Sequence, residues 1–437
     1  MQRVRRLREK REGSRRRQEV STEGKAGSNR KVALHRSDTD GRRPSLTADW
    51  RTKRQSRIRM EPAMEGITFV GLDAHKLWIM VAMLLPGREV AIEWRVPNEP
   101  RAIRRMLRRI EREAPGEVRF CYEAGPCGYT LQRQITAWSE ASCMVVAPSL
   151  IPGKPGDRVK TDRRDARKLA FLFRAGLLTE VQPPTEGDEA ARDLCRARED
   201  AREDLLRCRH RLTKFLLRRG IIFTAGKRAW TQAHRRWLHS LRFEQTCHEI
   251  VFADYLLAVE HLEQRLEAFV AQLERLAQDQ RYAPAVAALR CFRGFDTISA
   301  MTIAAELHSF HRFNSPRKLM AFVGLIPSEH TSGQRRRLGA ITKTGNSHVR
   351  RLLIEAAWNY RHRPRVGTLA RRRKGQPPWV IALADKAMQR LYRRYLHMIA
   401  KGMPSQKATV AIARELLGFV WAALSPIAAG AQMPLAS

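Results

Sequence analysis

A chain of 437 residues is long enough for two or three domains of ordinary size, and its 82 Lys and Arg against 44 Asp and Glu leave a formal net charge of +38. Such a charge repels itself unless a polyanion neutralises it, which points to nucleic acid. Hydrophobic residues make up 43% of the chain, enough for packed cores, so a globally disordered protein is excluded. No apolar run is expected to reach the roughly 18 residues a membrane helix needs.

The basic excess is not confined to one end. Residues 1–60 hold 20 basic and 7 acidic side chains, and the remainder still holds 62 against 37. Residues 1–65, rich in Arg, Ser, Gly and Thr and without helical or strand period, read as a disordered basic arm that adds non-specific phosphate contacts. Translation from a start upstream of Met60 or Met64 is the alternative origin of this arm. No apolar stretch follows its charges, so no secretory signal is expected. Seven scattered cysteines (Cys121, Cys127, Cys143, Cys195, Cys208, Cys247 and Cys291) include no CxxC pair. They read as reduced thiols of a cytoplasmic protein, without zinc site or disulfide framework.

From Gly66 the texture changes. ITFVGLDAH, LWIMVAMLLPG and EVAIEWRVPN read as three consecutive strands, and EPRAIRRMLRRIEREAPG as an amphipathic helix with Ile103, Met106, Leu107 and Ile110 on one face. Strand EVRFCYEAG, helix GYTLQRQITAWSEA and strand CMVVAPSL follow, a β-β-β-α-β-α-β order that predicts a mixed α/β sheet domain over residues 66–180. Residues 186–285 predict long charged helices. Val259, Leu262, Leu266, Phe269, Leu273 and Leu276 step by three and four as a heptad seam, and Leu194, Ala201, Leu205, Cys208, Leu212 and Phe215 follow a similar period that Arg198 interrupts. The two helices can pair with each other or with another protomer, and the oligomer is the favoured expectation. Residues 286–425 predict a third, mostly helical region that opens with a helix–turn–helix pattern around Arg293-Gly294-Phe295-Asp296. Residues 426–437 read as a loose tail.

Four acids stand out. Asp73 and Glu123 fall at the C-terminal ends of the first and fourth strands, where an open α/β sheet forms a crevice. Asp162 and Asp165, in VKTDRRDARKLA, are three apart, which on a helix puts both on one face. Converging carboxylates in a basic protein need cations between them, and paired magnesium ions bridging a scissile phosphate would meet that need. Lys160, Arg164 and Arg167 flank the helical pair and could meet phosphates. Taken singly, each acid also reads as a solvated or salt-bridged surface residue.

GLDAHK, YEAGPCGY and VKTDRRDARKLA, followed by the helical region and GLIPSEHTSGQRRRLGAITKTGNSHVRRLLIEAAW, closely resemble the transposases of insertion sequence family 110, DEDD-type recombinases guided by a bridge RNA. The similarity runs from about Ile67 to Leu424. It implies an α/β RuvC-like (ribonuclease H-like) domain, a coiled-coil segment and a mostly α-helical C-terminal transposase domain. It places the family's four acids on Asp73, Glu123, Asp162 and Asp165, holding Mg2+, and its nucleophilic serine on Ser332 of HTSG, with Ser328 the nearby rival. The implied partners are double-stranded DNA at element ends and target, a structured guide RNA, and further copies of the chain as a dimer of dimers. No membrane partner is implied. The family's PGIG-like turn is here Arg293-Gly294-Phe295-Asp296, which leaves DNA contact and packing as alternative roles for it.

Arg335, Arg336 and Arg337 adjoin Ser332, with Lys343, Arg350 and Arg351 downstream, and would stabilise charge on an attacked phosphate and hold the DNA backbone. Trp358 and Tyr360, among Arg361, His362 and Arg363, could stack on unpaired bases, although helical core packing is the better explanation for Trp358. Two rival readings fit the same residues: a junction-resolving metal nuclease that uses water, and a non-enzymatic basic nucleic-acid-binding protein.

Overall fold

Strands β1 (Thr68–Ala74), β2 (Trp78–Leu84) and β3 (Ile92–Pro97) form an antiparallel meander, and β4 (Val118–Glu123) and β5 (Ser142–Val146) extend it in parallel on the other side of β1. The sheet order is β3-β2-β1-β4-β5. Helices α1 (Pro100–Glu113) and α2 (Thr130–Trp138) supply the crossovers, and α3 (Asp162–Arg174) follows β5. In this computed structural model residues 66–153, 161–226, 228–332 and 335–428 are described. The basic arm and Lys160 lie outside them, as does most of the tail.

The strand period of two sorts the sheet into two faces. Val70, Leu72, Ile79, Val81, Phe120, Tyr122 and Val145 pack with Ile103, Met106, Leu107 and Ile110 of α1 and with Leu131 and Ile135 of α2. Phe69 and Cys121 point the other way, onto Leu169 and Phe173 of α3. Ala82 and Leu84 meet Ala166 and Ala170 on the same helix. Gly71 is what lets this helix come so close. A Cβ there would lie 2.3 Å from the Ala166 carbonyl oxygen and 2.6 Å from the Ala170 nitrogen, both backbone atoms. Gly71→Ala is therefore expected to cost about 1–3 kcal/mol by overpacking. Gly71→Val should cost more and lose divalent-cation binding with it, because α3 carries two of the candidate ligands. Thermal unfolding with and without Mn2+ checks both effects.

Helices α4 (Glu186–Leu217) and α6 (Thr246–Leu276) lie antiparallel, with the short α5 (Gln232–Ser240) against them. The direction follows from the pairs: Asp188 with Arg281, Arg209 with Glu263 and Phe215 with Tyr255. Val259, Leu262 and Leu266 pack with Leu205, Leu212 and Phe215. The seam read from the sequence is thus occupied within the chain, and it lends no support to the favoured oligomer.

The base of this hairpin merges with the C-terminal helices. Ala191 and Cys195 of α4 and Leu273 of α6 belong to one core with α7 (Ala283–Arg290), α8 (Thr297–Leu307), α9 (Pro316–Val323), α10 (Ser347–Ala357), α11 (Leu369–Arg373), α12 (Pro378–Ala400) and α13 (Ser405–Ala428). Contrary to the expectation from the sequence, α13 is long and apolar enough to cross a membrane by length and composition. Its residues Ala408, Ile412, Leu416, Val420 and Ala423 are buried in this core. Tyr360, a stacking candidate, is fully buried as well and cannot reach a base, while Trp358 lies half-buried under the Arg361 guanidinium. Gly294 adopts φ +95°, and a Cβ on it would sit 2.7 Å from the Ala356 carbonyl oxygen. The Arg293–Asp296 turn therefore packs on α10, and Asp296 caps α8 by accepting a 2.7 Å bond from Ser299 N.

One buried ion cluster locks α4 to this core. Glu306 of α8 accepts bonds from Arg196 at 2.8 and 3.0 Å and from Asn346 at 2.7 Å. Burial pushes its carboxyl up, but Arg196, with Asn346 and Arg192, more than reverses this and holds it below the usual range. Glu306→Gln leaves Arg196 and Arg192 short of a counter-charge and is expected to cost about 3–5 kcal/mol at pH 7. A carboxyl with a depressed folded pKa stabilises above its unfolded value, so the gap from wild type should close as pH falls below about 4. Urea midpoints across pH measure this.

Candidate active site

Asp73 shares the face of Phe69 and Gly71, so β1 delivers its carboxylate toward the N-terminus of α3. That terminus is built by Thr161, whose hydroxyl accepts from Arg164 N at 3.4 Å, and acids in a first turn suit the positive end of the helix dipole. Asp162 and Asp165 occupy this turn. Glu123 lies one position past the Leu72–Tyr122 pair on the adjacent parallel strand, on the face of Cys121, and is exposed.

The structure brings Asp73 and Asp162 together around a residue the sequence reading did not select. His75 Nε2 lies 3.1 Å from Asp73 Oδ2 and 3.4 Å from Asp162 Oδ1. Candidate ligand atoms of Asp73, His75 and Asp162 all fall within 4.8 Å of one another. Trp78 Nε1 donates to the other oxygen, Asp162 Oδ2, at 3.3 Å, and the Arg95 guanidinium stacks 3.9 Å above the same indole. His75 is held by its backbone: its N–H donates to the Trp78 carbonyl at 2.8 Å, and Asn98 Nδ2 donates to its carbonyl at 2.7 Å.

Burial raises the Asp73 carboxyl above its ordinary value, and the Asp162 and Asp165 charges raise it further, against the opposing pull of His75. Two carboxylates thus converge on a single imidazole, an arrangement that a bound cation would stabilise. Oxygen donors with one imidazole nitrogen suit a divalent metal. Asp165 contributes to the field at Asp73, but among the described residues the group within 4.8 Å includes neither Asp165 nor Glu123.

The basic residues fare differently. Arg167 pairs with Glu93 on β3, donating through Nη2 at 3.0 Å, and Arg163 pairs with the same carboxylate at 2.6 Å. Arg164 is exposed on the same turn. Arg350 spends its guanidinium on the carbonyls of Val323 (2.7 Å) and Thr344 (2.9 Å), tying the end of α9 to the start of α10. Arg351 bridges Glu199 of α4 (2.5 Å) and Glu355 (2.8 Å), and His348 joins it on Glu199 at 2.8 Å. Arg350 and Arg351 thus act as internal ties in this fold. Arg337 and Lys343 are exposed.

Ser332 closes strand β6 (Pro327–Ser332) of a hairpin whose second strand is β7 (Arg335–Ile341). In its register Ser332 faces Arg335, Thr331 faces Arg336 and His330 faces Arg337. Gly333 and the side chains of residues 330–336 lie outside the described residues. Backbone bonds from Thr342 to Ile326 (2.9 Å) and from Lys343 to Gly324 (3.1 Å) fix the hairpin's base to the C-terminal core.

A mixed sheet with acids at adjacent strand ends and on the helix laid across them is the arrangement that a RuvC-like domain of the DEDD class implies. A family model for DEDD transposases of IS110 type matches residues 70–219, and the model described as the transposase IS116/IS110/IS902 family matches residues 286–370. A putative transposase of Sinorhizobium fredii is 43% identical over 357 residues, covering 81% of this chain and 87% of the relative. The transposase for insertion sequence element IS1533 of Leptospira borgpetersenii is 34% identical over 343 residues, covering 77% and 98%. The chain belongs to the IS110 family of transposases. It is an enzyme that cleaves and rejoins DNA, which removes the non-enzymatic reading. DEDD domains generally use divalent metal, consistent with the cluster at Asp73.

Proposed function

We propose that this transposase excises and inserts its element through a covalent link between DNA and Ser332, with Asp73, Glu123, Asp162 and Asp165 holding Mg2+. The convergence of Asp73 and Asp162 at the β1–α3 junction is the observation that carries the reading. The bound cations would neutralise negative charge on the attacked phosphate and make its phosphorus more electrophilic.

The chain's own residues do the rest. Ser332 Oγ bonds to phosphorus as its proton passes to solvent, and the deoxyribose oxygen that leaves with the electron pair of the broken P–O bond takes up a proton to end as a hydroxyl. One phosphodiester is exchanged for another, so no external energy source is needed to reseal a new strand. Serine is a weak nucleophile at neutral pH and needs charge stabilisation at the attacked phosphate, which the arginines that follow it in the sequence would supply. Arg335, Arg336, Arg337 and Lys343 would grip the scissile strand, while Arg164 and Arg167 would steer the backbone toward the carboxylates, Arg167 by exchanging Glu93 for phosphate.

Strand exchange between two duplexes needs at least two active sites, so the working form is an oligomer, a dimer of dimers, with the paired α4–α6 helices as a coiled-coil arm. A structured guide RNA would choose sequence by base pairing, which leaves the protein to read shape and backbone. Sequencing the RNA that co-purifies with the full chain, then offering the complex DNA that matches its loops with Mg2+, is expected to yield recombinant junctions. Recombination undiminished after ribonuclease treatment would remove the RNA from the proposal.

A further inference from the structure

We infer that His75 is a metal ligand of the carboxylate centre, supplying one imidazole nitrogen to the cation held by Asp73 and Asp162, and that it tilts the site toward Mn2+ over Mg2+. This rests on the metal-binding reading of the cluster.

Two distances converge on Nε2. Its distances to Asp73 Oδ2 and Asp162 Oδ1 are 3.1 and 3.4 Å. With metal–ligand bonds of about 2.1 Å, neighbouring ligand atoms stand about 3.0 Å apart in an octahedral site and about 3.4 Å in a tetrahedral one. The nitrogen sits at ligand spacing from both oxygens, and an ion entering there would take the place of its hydrogen bond to Asp73 Oδ2.

The orientation is also built. The backbone bonds to Trp78 and from Asn98 hold the loop of His75 on both sides. The Trp78 indole occupies Asp162 Oδ2, which leaves Oδ1 turned toward the imidazole. Partners of this kind around a ligating carboxylate fix which oxygen meets the metal. A histidine present only to neutralise Asp73 would have no need of Asp162, which comes from a different element far along the chain.

An imidazole donor has a consequence for metal choice. Mg2+ takes oxygen ligands and keeps much of its water, whereas affinity for nitrogen rises from Mn2+ along the first transition row. Removing His75 should therefore weaken Mn2+ far more than Mg2+.

The test uses the untagged full chain at fixed neutral pH with less than one equivalent of Mn2+ and no nucleic acid. Pulsed electron paramagnetic resonance is expected to show nitrogen modulation from a directly bound imidazole, lost in His75→Ala. Titration should show the Mn2+ to Mg2+ affinity ratio falling about 10-fold in that variant. His75→Asp, which restores an oxygen donor, should recover binding without the nitrogen signal and guards against a folding defect in the alanine variant. Mn2+ bound without nitrogen modulation in the wild type, or modulation undiminished in His75→Ala, overturns the ligand assignment while leaving the carboxylate site standing. Mn2+ binding that is absent, or unchanged in Asp73→Asn, overturns the assignment together with the metal reading beneath it.

Discussion

Asp73→Asn is expected to reduce strand cleavage by at least ~10³-fold while the protein folds, stays basic and binds DNA as before. The reason is charge. Asp73 is the most enclosed member of the cluster, raised by burial and by Asp162 and Asp165, so losing its charge relieves repulsion in the metal-free protein. Thermal stability without metal should therefore hold or rise slightly, and the stabilisation that Mn2+ gives the wild type should vanish. Asparagine keeps the shape and one oxygen but not the charge that a divalent cation needs. Asp162→Asn should behave alike and should also loosen Trp78, which donates to that side chain. Cleavage of a labelled duplex beside a melting curve separates lost chemistry from lost fold. A variant that cleaves at wild-type rate would take its carboxylate out of the site.

Much of this site was legible in the sequence because strands and helices have fixed periods. Once GLDAH was a strand, Asp73 had to share a face with Phe69 and Gly71, and the spacing of Asp162 and Asp165 put both on one side of α3. The role of His75 was less visible. It stood in the GLDAHK motif, two residues past an acid at a strand end, a pattern that carries ligand chemistry, but its meaning depended on Asp162 arriving from a distant helix. Gly71 was silent for the same reason, since its function is the absence of a Cβ against Ala166 and Ala170.

Charge was the least legible property. A sequence shows that Arg350 and Arg351 are cations beside a serine. It does not show that the Val323 and Thr344 carbonyls, or Glu199 from a long helix far back in the chain, will take their donors first. The heptad seam behaved in a related way. Periodicity marks Val259, Leu262 and Leu266 as a contact face, and only the fold assigns Leu205 and Leu212 as what they contact.

Every covalent step of the proposed reaction passes through Ser332. Its Oγ must become esterified to DNA, and a phosphoserine diester survives denaturation. Ser332→Ala removes the attacking atom without adding bulk, and no other group in the proposal can replace it, so adduct and recombinant product should fall below detection. Ser328 is the natural control. It lies four residues away on the same strand, with its hydroxyl against the backbone of Gly339 on the paired strand. Ser328→Ala should keep both products. The direct measurement is a denaturing gel of labelled target DNA incubated with the protein, any RNA that co-purifies with it, and Mg2+. A protein–DNA band present in the wild type and in Ser328→Ala, and absent in Ser332→Ala, is the predicted result. Free cleaved ends without any adduct in the wild type, or an adduct that persists in Ser332→Ala, would contradict it.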